Sequence, residues 1–126
     1  MFYVFDNNLI RLTRGNSVSI EMALIVESTG DMYEFTDGDR VVFTAAKNTT
    51  GAVVLRKTMT IDDVVDSGKI KMELKPDETV GLAPGEYKYD CLLITADDQA
   101  ITFISSVLVV DEAVGVYTDI GGAVDG

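Results

Sequence analysis

The residues of this chain whose type and spacing could do chemistry are carboxylates gathered in pairs. Asp37-Gly38-Asp39, Asp62-Asp63 with Asp66, and Asp97-Asp98 each fall in a stretch that reads as a loop. Two acids converging across a cleft perform glycoside hydrolysis, and a cluster of carboxylate oxygens holds Ca²⁺. The same residues have a plainer use, because Asp bonds its own backbone in turns and tolerates left-handed geometry. The ligand spacing of an EF-hand is missing, so turn chemistry is favoured, a Ca²⁺ site stays open, and catalysis is disfavoured. No histidine occurs anywhere, which removes His-based triads, Cys-His dyads and zinc sites of the usual ligand mix. No glycine-rich phosphate loop follows a strand, so nucleotide binding has no support. The chain is expected to be no enzyme, to use no cofactor and to take no small-molecule substrate.

Cys91 is the only cysteine, which excludes an internal disulfide and suits a reducing compartment. Its place inside an apolar strand marks it as a small buried hydrophobe rather than a reactive thiol. The 126 residues fit one domain, with 47% hydrophobic and 25% charged residues giving an ordinary globular balance. The charge is lopsided, 21 acidic residues against 10 basic for a net −11. Nucleic acid and anionic membranes repel such a chain, since affinity for phosphate polymers rests on Lys and Arg displacing counterions. After Lys88 there is no Lys or Arg, while Asp90, Asp97, Asp98, Asp111, Glu112, Asp119 and Asp125 follow. This reads as a solvated surface or, more sharply, as an acidic face for a basic partner. The opening Met1-Phe-Tyr-Val-Phe-Asp6 lacks a basic leader. The longest apolar stretch, Ile101 to Val110, is interrupted by Thr102, Ser105 and Ser106 and is too short to span a bilayer as a helix. A soluble protein made in the cytoplasm is expected.

The elements that must position these loops show period-two alternation almost throughout. Ile10, Leu12 and Thr13 make a short first strand. Ser17 to Val26 alternates, with Val18, Ile20, Met22, Leu24 and Val26 on one face and Ile25 the exception. Met32-Tyr33-Glu34-Phe35 is a short alternating piece, and Val41, Phe43 and Ala45 form the next inner face. Val53 to Ile61 follows, then Ile70, Met72 and Leu74 alternating with charged residues. Pro76-Asp77-Glu78-Thr79 fits a single helical turn, because Pro suits the first helical position and acids the first turn. Tyr87, Tyr89, Cys91 and Leu93 share one face, Asp97-Asp98 tips a hairpin, and Ile101 to Val110 is the last strand. Seven or eight short strands with almost no helix predict an all-β, antiparallel two-sheet sandwich. The domain covers 1–113, with 114–126 as a C-terminal extension and flexible end; Val114-Gly115-Val116-Tyr117 could add a short strand.

The last two strands carry apolar residues on both faces. Leu92 and Ile94 lie opposite the inward set of their strand, and Ile104, Leu108 and Val110 lie opposite Ile101, Phe103, Val107 and Val109. An outer face of that kind predicts a subunit interface, and hence a homo-oligomer.

Leu82-Ala-Pro84-Gly85-Glu-Tyr87 is a tight turn entering a strand through a tyrosine. In two-sheet sandwiches such a tyrosine corner locks the crossover between sheets. Tyr89-x-Cys91 has the antibody-domain spacing, yet with no second cysteine and no tryptophan the chain is not a true antibody-type domain. Three stretches together, Leu12-Thr13-Arg14-Gly15-Asn16-Ser17, Leu74-Lys-Pro76-Asp77-Glu78-Thr79 and Leu82 through Asp90, resemble the small immunoglobulin-like domains of tailed phages and prophages. The resemblance is to the N-terminal domain of baseplate upper proteins from phages of Gram-positive hosts, and spans about residues 9–111. Family members commonly carry Asp where this chain has Asn16, and they continue into fibre or receptor-binding regions that are missing here.

The resemblance implies an immunoglobulin-like β-sandwich serving as a structural or adaptor module of a tail or baseplate. Its partners would be further copies and other virion proteins, in the host cytoplasm during synthesis and then in the assembled virion. The rival reading is a carbohydrate-binding or adhesion module, with Tyr33, Phe35 and Tyr117 as candidate platform aromatics.

Overall fold

The computed structural model describes residues 2–3, 9–26, 28–48 and 50–112. Its strands are β1 (Phe2–Tyr3), β2 (Ile10–Thr13), β3 (Val18–Met22), β4 (Ile25–Val26), β5 (Arg40–Lys47), β6 (Val53–Met59), β7 (Ile70–Leu74), β8 (Gly85–Ile94) and β9 (Ala100–Asp111). A 3₁₀ turn covers Ile61–Asp63, and a helical turn, α1 (Pro76–Thr79), lies where Pro76 and its following acids place it. The suggested strand at Val114–Tyr117 and the extension 114–126 lie outside the described residues, as does the opening stretch beyond Phe2–Tyr3.

Two layers form an immunoglobulin-like sandwich. One is a five-stranded sheet in the order β2-β9-β8-β5-β6; the other consists of the β3-β7 pair, with β1 pairing β4 beyond the end of β3. All pairings are antiparallel except β2 with β9, which run parallel from Ile10 opposite Leu108 to Thr13 opposite Asp111. The core lies between the layers. Val41, Phe43 and Ala45 from β5, Tyr87, Tyr89, Cys91 and Leu93 from β8, and Ile70, Met72 and Leu74 from β7 all bury their inward side chains. Phe43 stacks on Tyr89 with centroids 5.1 Å apart, and Cys91 lies against Met22.

The tyrosine corner closes one end of this sandwich. The Tyr87 hydroxyl donates to the carbonyl of Ala83, and both Tyr87 and Leu82 are buried. Fully buried Thr79, on α1, donates its hydroxyl to the Asn16 carbonyl at 2.9 Å. Lys57, at the sheet edge, reaches across to Glu78 at 2.9 Å. The stretches 12–17, 74–79 and 82–90 therefore meet in space and build this end.

The structure corrects two readings. Ser17 to Val26 is not one strand: β3 stops at Met22, the buried Ala23 and Leu24 intervene, and β4 begins at the equally buried Ile25. The second correction concerns the outer face of the last strand. Cys91 pairs with Ile104 but Leu92 pairs with Thr102, leaving Phe103 as an extra residue in β9. Such a bulge reverses the in-out parity of everything beyond it. Phe103 and Ile104 are consequently both buried, and Leu108 and Val110 point into the core, leaving Val107 and Val109 half-buried outside. Ile104, Leu108 and Val110 are thus core residues and not an outer interface. Leu92 and Ile94 remain outward and half-buried.

Candidate functional site

The strand order decides where the chemistry-bearing loops go. β3, β6 and β8 all end, and β5, β7 and β9 all begin, at the same end of the sandwich. Residues 23–39, 60–69 and 95–99 are the connections there. The first brings Asp31, Glu34, Asp37 and Asp39, the second Asp62, Asp63 and Asp66, and the third Asp97 and Asp98. Among the described residues of these connections the only cation is Lys69. All three acidic loops singled out from the sequence are therefore brought to one tip. The opposite end is nearly balanced, with Arg14 paired to Glu112 and Lys57 to Glu78.

Within that tip Asp39 is unlike its neighbours. It is 3% exposed, and its carboxylate accepts from the Tyr33 hydroxyl at 2.7 Å, the Thr36 amide at 2.9 Å and hydroxyl at 3.3 Å, and the Ala96 amide at 3.2 Å. These contacts satisfy a charge that could not otherwise be buried. They also tie the 33–39 loop to the 95–99 hairpin. Gly38 sits between the two at φ +95°, where a Cβ would come within 2.9 Å of the Ala96 Cβ. Only a glycine permits both that backbone conformation and that approach. Asp39 escaped the sequence reading because Asp37-Gly38-Asp39 looks like turn chemistry. The available signal was register: 39 continues the inward set of Val41, Phe43 and Ala45.

Beside this hub runs an open groove of about 680 Å³, lined by Asp31, Met32, Tyr33, Glu34, Phe35, Val64, Asp66, Ser67 and Gly68. Met32, Tyr33, Phe35 and Val64 are half-buried, whereas Asp31, Glu34, Asp66 and Ser67 are exposed. Tyr33 and Phe35 meet edge to face, 5.3 Å between centroids at 82°. Burial, then the bond to Asp39 and the charges of Asp39 and Asp97, push the Tyr33 phenol up to about 12. The two rings do not form the flat platform that stacking on a sugar requires; Tyr117 lies outside the described residues.

No group of three or more His, Cys, Asp or Glu side chains among the described residues is arranged to hold a metal ion. Cys91 is fully buried, and burial first, then Asp90, pushes its thiol up to about 12, which leaves it protonated and inert near neutral pH. Among the described residues no helix is long and apolar enough to cross a membrane.

The outward face of the five-stranded sheet is the other surface the sequence pointed to. Its half-buried aliphatics fall into two small groups, Val42 with Leu92 and Ile94, and Ala46, Val107 and Val109 beyond. A polar row of Arg56, Thr44, Asp90 and Ser105 runs between them across four strands. That polar row divides the apolar surface of this face. The edge strand β6 carries Arg56 and Lys57 at its middle, charges that discourage edge-to-edge pairing.

No family model and no curated protein matches this chain. Solved structures share its outline. CopC from Methylosinus trichosporium OB3b is 12% identical, with a TM-score of 0.49 over 93% of this chain and 100% of that one. Murine CRIg is 8% identical, with 0.45 over 90% and 98%. The fibronectin(III)-like modules of Clostridium thermocellum CbhA are 14% identical, with 0.45 over 90% and 99%. The immunoglobulin-like assignment rests on this chain's own strand order, register and tyrosine corner.

Proposed function

We propose that this chain is a protein–protein contact module of a phage or prophage virion, an adaptor in a tail or baseplate, whose contact surface is its acidic tip. The observation that carries the contact role is the convergence of three separate connections, which concentrates nine named carboxylates at one tip against two cations, Lys69 in the connections and Arg40 at the start of β5. A field of that sign and extent steers a basic partner and repels nucleic acid. The virion assignment is supported by the likeness of 12–17, 74–79 and 82–90 to baseplate domains. The edge-to-face packing of Tyr33 and Phe35 gives the carbohydrate-binding alternative no support.

The test is sedimentation. After induction of a lysogen that encodes this chain, particles are banded on a density gradient and probed with antibody to it. Co-banding with tail proteins is expected. Finding the chain only in the soluble fraction or on the cell wall would overturn the virion assignment.

A further inference from the structure

The groove at the acidic tip has walls of fixed shape. Tyr33 donates its amide to the Leu24 carbonyl and its hydroxyl to Asp39, while Met32 bridges to Ile25. The facing wall is held by the Val64–Ile70 bridge and by the Val65 and Gly68 amides, which close the turn onto Lys69 and Val65 carbonyls. Gly68, at φ +85°, brings that turn so close that a Cβ would lie 3.1 Å from the Met32 methyl. A preorganised groove loses little freedom when occupied. Its floor is aliphatic and aromatic, and the charged side chains on its rim, Asp31, Glu34 and Asp66, are all negative. By contrast, a groove of about 320 Å³ beside the tyrosine corner is lined by Lys47 and Glu78 and favours neither sign.

We propose that the groove between residues 31–35 and 64–68 seats an extended basic segment of a partner protein. The aliphatic stems of its lysines or arginines lie on Met32, Tyr33, Phe35 and Val64, and their cations meet Asp31, Glu34 and Asp66. Long basic side chains suit this pattern because they bury their methylenes while the head stays at the wet rim. A chain of net −11 repels its own copies, which favours a basic partner over self-association. This deepens the adaptor reading by naming what the tip takes.

The test is fluorescence anisotropy with a labelled peptide Lys-Val-Lys-Leu-Lys-Val and its Glu-for-Lys counterpart. The intact chain should bind the first and ignore the second, with affinity falling as salt rises from about 50 to about 300 mM. Asp31→Asn/Glu34→Gln/Asp66→Asn should weaken binding at least about tenfold, each carboxylate contributing a few-fold. Glu21→Gln/Glu73→Gln/Glu86→Gln removes equal charge from exposed positions elsewhere and should leave affinity within about twofold. Ser67→Arg, which places a cation on the rim without deleting an acid, should also weaken binding. Unchanged melting temperatures confirm that the variants fold. Equal losses in both triple variants would mean diffuse attraction and overturn the proposal, as would no binding by the intact chain. Light scattering that shows self-association through the tip, reversed by Ser67→Arg, would overturn it too. A chain that co-bands with particles but fails these assays keeps its virion role and loses the groove.

Discussion

Replacing Asp39 by alanine tests whether the acidic tip is held by one buried carboxylate. Asp39 accepts hydrogen bonds from four donors, of which Tyr33 is half-buried while Thr36 and Ala96 are exposed. Hydrogen bonds to a charged group contribute about 1.5–3 kcal/mol each, but donors that regain water recover most of that. Counting the Tyr33 bond nearly in full and the others as fractions, Asp39→Ala should cost about 3 kcal/mol, with Asp39→Asn intermediate. In a domain of this length that lowers the melting temperature by about 10 °C. Asp37→Ala, two residues away and exposed, should change stability by less than about 0.5 kcal/mol. Urea unfolding followed by circular dichroism reads all three variants, and an unchanged slope would confirm that the unfolded state is the same. A second readout is the Tyr33 phenol, which should titrate at lower pH once Asp39 is gone, staying above its ordinary value of 10.0 because burial remains. If Asp39→Ala were as mild as Asp37→Ala, the residue would be a plain turn aspartate and the argument for an organised tip would fail.

Tyr87→Phe keeps the packing of the corner and removes only the bond to Ala83, so thermal unfolding should show a loss of about 1 kcal/mol; Tyr87→Ala, which opens a cavity, should cost about 3–5 kcal/mol. Glu78 is held below the ordinary carboxylate value because its charged form accepts the Lys75 amide and the Lys57 ammonium, against an opposing effect of burial. Its contribution is therefore present above the unfolded-chain value of 4.5 and is lost as pH falls through the lower folded value. The stability gap between the parent and Glu78→Gln should be widest near neutral pH and close in acid, as read by denaturation at several pH values. Cys91 should stay unmodified by a disulfide reagent in the native protein and react at once in denaturant.

What could be read along the chain was what depends on near neighbours. The alternation of Val41, Phe43 and Ala45, or of Ile70, Met72 and Leu74, is local, as are the Pro76 helical turn and the Pro84-Gly85 approach to Tyr87. The bulge at Phe103 was hidden because Phe103, Ile104 and the run Val107 to Val110 are apolar on both parities, so no polar residue marked the switch. The parallel pairing of β2 with β9 and the bond from Asp39 to Ala96, 57 positions apart, depend on topology rather than spacing. The acidic tip has the same character: three loops, each ordinary by itself, become one surface only when the strand order brings them together. The tyrosine corner and the Pro76 turn build the opposite end, away from the acidic tip.

The most direct measurement of whether the tip is where this chain is gripped is photo-crosslinking inside induced cells. A benzoyl-phenylalanine at Ser67, on the rim of the groove, is compared with one at Glu86, on the outward sheet face. Crosslinks from Ser67 to a basic particle protein, and none from Glu86, are the expected result; crosslinks from Glu86 alone, or from neither position, would contradict the account.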